Sequence, residues 1–507
     1  MKLFTTQEIK SILNETLKNE GLTIADYIER SALGIAAEIK RRWKIDKRIF
    51  IYAGPYENGA LSLATAKVLH KEGYQINIIL FNVPSDPINE ECRRQRDQLL
   101  NSGFLRENLK EIVKDYRRPE ITEQDLIIDG IFGSELNRSL EAAYTLIIEQ
   151  INSMGAEVVS LDVPSGMSGD FNPKLVPKKC IKSNLTLSIQ FPHLVFFLPG
   201  SQYNISEWKV IDIGLSTKAA NTASFKYLLI GRREVTRTLP ERNPYSSKAD
   251  YGTGIIYAGS YGMIGAAVMA ALGALRSGIG KLTVSTPICG FPIVQSSVPE
   301  ALYQYTENKD VISRINPRHN YDSVAIGPGI STHEVTVNAL EEFLSGYQRP
   351  VILDADALNC IARKPVLLNK LAPMSILTPH AGEFDRLFGE HANGDSRILK
   401  SIEMSRTYNI IIILKGHHTV ITLPDGKIMI NSTGTPALAT PGSGDVLTGI
   451  LTSMLAQLKD PVLSAMTGVY LHGRAGELAE EELGSYGVLA SDISKFTAKA
   501  IKEILDS

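Results

Sequence analysis

Short apolar runs separated by stretches of helical periodicity fill the chain. In the first half the runs are Arg48-Ile-Phe-Ile-Tyr-Ala-Gly54, Ile76-Asn-Ile-Ile-Leu-Phe81, Asp125-Leu-Ile-Ile-Asp129 and Glu157-Val-Val-Ser-Leu-Asp162. A polar helix-like segment precedes them, and Ala64, Ala66, Val68 and Leu69 give the helical pattern after the first. The second half repeats the alternation, with strands expected at 254–259, 281–285, 323–327, 350–354, 375–379 and 410–415. Alternation of this kind predicts parallel sheets covered by helices. Ligands of such sheets lie beyond the carboxyl ends of the strands, where Gly54, Asp129 and Asp162 fall. Segment 217–248 is charged and carries Pro240 and Pro244, which puts a boundary near residue 220 and domains at 1–220 and 225–507. The fold class is α/β, as two three-layer αβα domains.

One helix is especially well marked. Val446, Leu447, Ile450, Leu451, Met454, Leu455 and Leu458 recur at helical spacing, so one broad face is buried. Its mouth reads Asn431-Ser-Thr-Gly-Thr-Pro-Ala-Leu-Ala-Thr-Pro-Gly-Ser-Gly-Asp445. Backbone N–H groups at a helix N-terminus lack intrahelical partners, and the dipole there favours negative charge. Gly442, Ser443 and Gly444 let a phosphate approach that backbone closely. Asp445, in the same turn, is placed to take a proton from a hydroxyl facing the phosphate. That suits phosphoryl transfer from a nucleotide to an alcohol. The same stretch is also compatible with a glycine-rich left-handed turn in which Asp445 is an ordinary N-cap.

Composition narrows the partners. The chain has 507 residues, 44% apolar and 21% charged, with a formal net charge of −2. That argues for a globular protein of two or three domains and against a nucleic-acid or membrane electrostatic footprint. No run reaches the length of a membrane span and the first residues lack a signal-peptide core. Cys92, Cys180, Cys289 and Cys360 lie far apart without metal or redox spacing, as expected of core thiols in a cytoplasmic protein.

The second half carries ordered motifs: Lys248-Ala-Asp-Tyr-Gly-Thr-Gly, Ala258-Gly-Ser-Tyr-Gly-Met-Ile-Gly, Leu275-Arg-Ser-Gly-Ile-Gly-Lys, Ala325-Ile-Gly-Pro-Gly, Leu353-Asp-Ala-Asp-Ala-Leu-Asn359, Thr378-Pro-His-Ala-Gly-Glu-Phe and Leu414-Lys-Gly-His-His-Thr. Together with the Gly-Ser-Gly-Asp turn they resemble, over about 235–500, the ADP- or ATP-dependent NAD(P)H-hydrate dehydratases, which have the ribokinase-like fold. The resemblance implies that Lys415, Gly416, His417, His418 and Thr419, with loop 435–444 including Gly442, Ser443 and Gly444, hold ADP, or ATP as the alternative donor. It implies that Ala258, Gly327, Gly329, His380 and Asp445 face the hydrated nicotinamide and that Asp445 is the general base, with Mg2+ accompanying the nucleotide. Glu383 would orient a water or the magnesium, or cap the following helix. The reaction implied is phosphorylation of the ring hydroxyl of S-NAD(P)H hydrate and then loss of phosphate, a far better leaving group than hydroxide.

The first half resembles the NAD(P)H-hydrate epimerase domain, of Rossmann-like fold, through Ile24-Ala-Asp-Tyr-Ile-Glu-Arg-Ser-Ala, Ile128-Asp-Gly-Ile-Phe-Gly-Ser-Glu-Leu-Asn-Arg138 and Leu161-Asp-Val-Pro-Ser-Gly166. By that resemblance Asn58, Asp129 and Ser165 hold K+, Glu57, Asn58, Gly59, Gly133, Ser134 and Asn137 contact the substrate, and Asp162 is the acid/base. One loop departs from the family's Gly-Pro-Gly-Asn-Asn-Gly-Gly-Asp: it reads Gly54-Pro-Tyr-Glu-Asn-Gly-Ala-Leu61. Tyr56 replaces a glycine and Glu57 adds an anion where pyrophosphate approaches. The epimerase reaction is therefore expected to be weak or lost. A homo-oligomer acting on NADHX and NADPHX, without nucleic-acid or membrane partners, is the expected whole. The alternatives are a small-molecule kinase of the ribokinase superfamily with a non-catalytic N-terminal scaffold domain, and a nucleotide-binding regulatory protein.

Overall fold

The computed structural model describes all residues except 115, 135, 137–139, 141, 318 and 507. The chain divides into two compact units, Leu3–Phe225 and Lys226–Ser507, the second also taking in Met1–Lys2. Met1 joins it by hydrogen bonds to and from Leu229 and an ion pair with Glu234.

The N-terminal unit has a seven-stranded sheet in the order Leu109–Ile112, Ile76–Phe81, Ile49–Ala53, Leu126–Gly130, Glu157–Leu161, Leu185–Ile189, Trp208–Ile211. All neighbours are parallel. Side chains alternate across the strands. Ile49, Ile51 and Ala53 thus pack with helices Ile24–Arg42 and Glu57–Lys71, while Phe50 and Tyr52 pack with helix Ala142–Asn152 on the other face. That makes three layers. The strand order reverses between Ile49–Ala53 and Leu126–Gly130, so the ligand crevice is expected above Gly54 and Ile131.

The C-terminal unit has an eleven-stranded sheet, its first edge formed at Lys2. Next come Tyr227–Ile230, Ile428–Asn431, Val420–Thr422, Ile411–Leu414, Ile376–Leu377, Ile352–Leu353, Ser323–Ile326, Thr253–Tyr257, Lys281–Pro287 and Leu302–Thr306. The wholly parallel sheet expected from the alternation is corrected here: Val420–Thr422 runs antiparallel to both neighbours. The reason is local. Leu423-Pro-Asp-Gly-Lys427 closes a tight turn, with Gly426 at φ 85°, too short for a crossover helix. Ile256, Val284, Ala325, Ile352, Ile376 and Ile411 share a core with helices Ile264–Arg276, Ser443–Leu458, Pro461–Leu483 and Ala490–Leu505. The alternate residues Ile255, Tyr257, Val324, Leu353 and Leu377 are equally buried, so both faces are covered.

Helices Ile264–Arg276 and Ser443–Leu458 approach unusually closely. A Cβ on Gly449 would lie 1.9 Å from the Ala270 carbonyl oxygen, and one on Gly273 would lie 2.4 Å from that of Val446. This contact fixes where the second helix begins, and with it the Gly-Ser-Gly-Asp turn. The strand order reverses between Thr253–Tyr257 and Ser323–Ile326, and the two following loops are tied there by Gly259 N–H donating to Pro328 O at 2.7 Å. Among the described residues, no helix is long and apolar enough to cross a membrane.

Candidate active sites

In the C-terminal unit, charged side chains converge above the carboxyl ends of the central strands. Asp354 follows Ile352–Leu353 and is 1% exposed. Its Oδ1 accepts from Thr378 Oγ1 at 2.6 Å and from Lys415 Nζ at 3.0 Å, and its Oδ2 from Thr448 Oγ1 at 2.8 Å. Lys415 Nζ also lies 3.8 Å from Glu383. Burial alone would lower the ammonium's pKa, but the Asp354 and Glu383 carboxylates more than offset it, and the pKa is raised. A buried charge is tolerated only when paired in this way.

Helix Ser443–Leu458 starts from Gly442 at φ 87° without a side-chain cap, a backbone that glycine adopts freely. Lys415 faces this turn: its Nζ would lie 3.5 Å from a Cβ on Gly444. Ser443 N–H is already donated to Thr440 O at 3.2 Å, which leaves the following amides of the first turn for an anion. The turn is held from behind by His472, whose Nε2 is 3.0 Å from Ser443 O and 3.1 Å from Ser443 Oγ. Burial first, and the Lys415 charge second, bring the His472 pKa down to about 4. The ring is therefore neutral and does not compete for the anion.

Asp445 lies in the first turn of this helix. Burial, then the neighbouring carboxylates of Asp354, Asp356 and Glu383, push its pKa up to about 7 against the opposing charge of Lys415. A base poised near neutrality is the optimum for proton transfer at physiological pH. His380 caps helix Ala381–Phe388, its Nδ1 accepting the amides of Gly382 at 3.0 Å and Glu383 at 3.3 Å. That fixes the proton on Nε2, which lies 3.4 Å from Glu383 and is carried by a half-exposed side chain. Gly327 cannot be replaced: its φ is 144°, and a Cβ would meet Asp354 O at 1.8 Å. Gly329 O accepts from Ser260 Oγ at 2.8 Å, and Ala258, wholly buried, follows strand Thr253–Tyr257.

After strand Ile411–Leu414, Gly416 and His417 are exposed. Thr419 Oγ1 donates to Gly416 O at 3.2 Å. His418 turns inward, Nδ1 3.2 Å from Asn431 O, and burial lowers its pKa to about 4. Sequence reasoning named Asp445 and Lys415 but not Asp354, Thr378, Thr448 or His472. Asp354 carried the signal that drew attention to Asp129 and Asp162, a carboxylate ending an apolar strand.

In the N-terminal unit Asp129 is fully buried, and burial pushes its pKa up. Its Oδ1 accepts from Ser165 Oγ at 2.5 Å and its Oδ2 from Ser160 Oγ at 2.8 Å and Ser165 N at 2.9 Å. Asn58 Nδ2 donates to Phe132 O at 2.8 Å and Leu161 O at 3.1 Å. Ser165 Oγ reaches the same Phe132 carbonyl oxygen at 3.1 Å. Asn58 Oδ1 is buried without a hydrogen-bond partner. An orphaned amide oxygen beside a carboxylate, a hydroxyl and a backbone carbonyl is a donor set that fits a monovalent cation. Gly133 lies over this group: a Cβ on it would be 2.8 Å from Asp162 Oδ2 and 3.6 Å from Asn58 Cγ. Ser134 N–H donates to Asp162 Oδ2 at 2.7 Å. Asn137 lies outside the described residues.

The altered loop begins helix Glu57–Lys71. Tyr56 is 40% exposed and its hydroxyl bonds Asp86. Glu57, in the first helical turn, accepts from Asn89 Nδ2 at 3.4 Å. Gly59 packs on Gly54, whose carbonyl oxygen would be 1.8 Å from an added Cβ.

The folds and sites define a two-unit α/β enzyme, with a carboxylate of raised pKa beside an uncapped helix terminus in one unit and a strand-end carboxylate site in the other. Residues 254–499 match the family described as NAD(P)H-hydrate dehydratase, and 25–195 that described as YjeF-related protein N-terminus. A bifunctional NAD(P)H-hydrate repair enzyme of Moorella thermoacetica is 31% identical over 499 residues, covering 96% of this chain and 92% of that protein. The ADP-dependent (S)-NAD(P)H-hydrate dehydratase of Bacillus subtilis is 38% identical over 270 residues, 53% of this chain and 95% of its own. A crystal structure of the Bacillus subtilis ADP/ATP-dependent enzyme, co-crystallised with ATP and Mg2+, is 36% identical, covers 55% of this chain and 98% of that one, and has a TM-score of 0.49. The chain belongs to the family of bifunctional NAD(P)H-hydrate repair enzymes.

Proposed function

We propose that the C-terminal unit dehydrates S-NAD(P)H hydrate at the expense of ADP and that the N-terminal unit interconverts the R and S hydrates. The observation that carries the dehydratase reading is Asp445: a carboxylate with a pKa of about 7 in the first turn of an uncapped helix, facing Lys415 and Asp354. Asp445 takes the proton of the substrate's ring hydroxyl as that oxygen attacks the terminal phosphorus of ADP, and AMP leaves with the electron pair of the broken P–O bond. The first-turn amides and Lys415 stabilise the charge that develops on the phosphoryl oxygens. Phosphate then departs from the ring carbon with the C–O electron pair, a proton leaves the neighbouring ring carbon to solvent, and the C–H electron pair forms the restored double bond. Ala258, Gly327 and Gly329 line the nicotinamide crevice and His380 Nε2–H donates to the substrate. The segment 415–419 and the turn 442–444 hold ADP. Mg2+, when bound, neutralises phosphate charge. Asp354, Asp356, Glu383 and Asp445 outnumber the cation Lys415 on this edge, which suits a divalent ion bound through one or two carboxylates and phosphate.

In the N-terminal unit Asp162 is the acid/base, Ser134 and Gly133 frame it, and Asn58, Asp129 and Ser165 hold K+. Glu57 makes this reaction the slower of the two. Full-length identity to repair enzymes favours this over the small-molecule kinase. The test supplies purified S- and R-hydrate separately with ADP or ATP and follows reduced-nicotinamide absorbance and phosphate release. A product that stays phosphorylated would establish the kinase instead.

A further inference from the structure

His193 stands behind Asp162 and has no part in the chemistry described so far. It follows strand Leu185–Ile189 and is 3% exposed. Its Nε2 lies 2.5 Å from Asp162 Oδ1. A carboxylate only accepts, so Nε2 carries the proton and donates it. Phe196 packs edge-on against the imidazole with ring centroids 5.8 Å apart. At another edge of the ring, a Cβ on Gly169 would be 2.9 Å from Nδ1, and Nδ1 itself is buried without a partner. The Asp162 side chain is 23% exposed against 4% for His193. The carboxylate therefore meets the crevice while the imidazole backs it. Asp162 is also held in the left-handed region, φ 67°, so its orientation depends on what grips its oxygens.

We propose that His193 is the positioning residue of the epimerase reaction, holding Asp162 ionised and aimed so that the carboxylate's remaining lone pairs receive the substrate's proton. This rests on Asp162 being the acid/base of that reaction. Burial by itself pushes the Asp162 pKa up. The charge and hydrogen bond of His193, with the Ser134 amide, overcome it and hold the carboxyl down at about 2. Asp170 also faces His193, and Glu8 faces Asp170.

The experiment measures epimerisation of the full chain across pH, with potassium present, for wild type, His193→Gln, His193→Lys and Asp162→Asn. Glutamine offers a neutral donor to the carboxylate, and lysine a charged one. In His193→Gln, kcat falls on the order of a hundredfold while KM stays within about twofold. Its acid limb moves up by roughly one to three pH units. His193→Lys restores the limb. Near-UV circular dichroism and an unchanged dehydratase rate show an intact chain. A loss of kcat with no movement of the limb in His193→Gln, or a profile that superimposes on wild type, overturns the proposal. If Asp162→Asn still epimerises, or wild type does not, the reading beneath it fails too. If Asp162→Asn is inactive while His193→Gln behaves as wild type, only the role of His193 falls.

Discussion

Lys415 and Asp354 meet at 3.0 Å on the carboxyl edge of the C-terminal sheet, and the same Asp354 raises the pKa of Asp445. One buried carboxylate thus anchors the cation beside the Gly442–Gly444 turn and makes the Asp445 carboxylate a stronger base. Replacing Asp354 by Asn separates the two effects. Lys415 loses its partner inside the protein, which costs about 3 kcal/mol and lowers the Tm. Asp445 loses a repelling neighbour, so the acid limb of the dehydratase profile moves to lower pH. A thermal melt and a pH–rate profile read the two outcomes independently.

Asp445 itself illustrates a trade of stability for function. Its folded pKa of about 7 lies above the ordinary 3.8, so the folded chain holds this proton more tightly than the unfolded one. The contribution of Asp445 to stability is greatest below about pH 4 and declines as pH rises from there to about 7, beyond which the loss is complete. Asp445→Asn abolishes that loss while removing the base. The variant is expected to lose at least about a hundredfold in dehydratase kcat. At pH 8 it should be more stable than wild type by roughly 2 kcal/mol, after allowance for partial exposure. Denaturant melts at pH 8 and pH 4.5 check this, because the gain shrinks toward the lower value.

The crossing of helices Ile264–Arg276 and Ser443–Leu458 sets the position of that base. Gly449→Ala places a methyl 1.9 Å from the Ala270 carbonyl oxygen, so the helices must part. Overpacking of this kind costs about 1–3 kcal/mol. The dehydratase rate falls with it, because the Gly442–Gly444 turn moves, while epimerisation is unaffected. Assaying both reactions on one preparation tests the separation.

The two α/β halves were legible because short apolar runs and helical periodicity are local properties, and the start of helix Ser443–Leu458 because a glycine-rich helix terminus is built from consecutive residues. The Val420–Thr422 strand was hidden because its direction depends on the Leu423–Lys427 turn, not on hydrophobic content. Asp354, Thr378 and Thr448 meet only through sheet order, across 24 residues in one bond and 94 in another. His193 likewise reaches Asp162 from 31 residues away. Pairings of that kind leave no spacing signature in one sequence.

Glu57 occupies the first turn of helix Glu57–Lys71, where a carboxylate is favoured by the helix dipole and disfavours an incoming phosphate. Glu57→Gln should cost about 0.5 kcal/mol of stability. It should also lower the KM of the epimerase for the hydrate, most clearly at low ionic strength, where charge is least screened. A KM unchanged between low and high salt in both forms would remove Glu57 from the phosphate's path.

A potassium ion at the proposed N-terminal site would distinguish the two units. Asn58 Oδ1 is buried without a partner, and Asp129, wholly enclosed, has its pKa raised by burial. An ion seated among Asn58, Asp129 and Ser165 would satisfy the first and favour the charged form of the second. Exchanging potassium for choline should therefore slow epimerisation and lower the melting temperature of the N-terminal unit, while the dehydratase rate at fixed magnesium and S-hydrate stays the same. In Asn58→Leu the orphaned oxygen is gone together with the donor to Phe132 O and Leu161 O, so the melting temperature falls and no longer responds to potassium. Calorimetry in the two salts, run on wild type and variant, reads this without any turnover. A potassium-dependent melt that survives in Asn58→Leu would place the ion elsewhere.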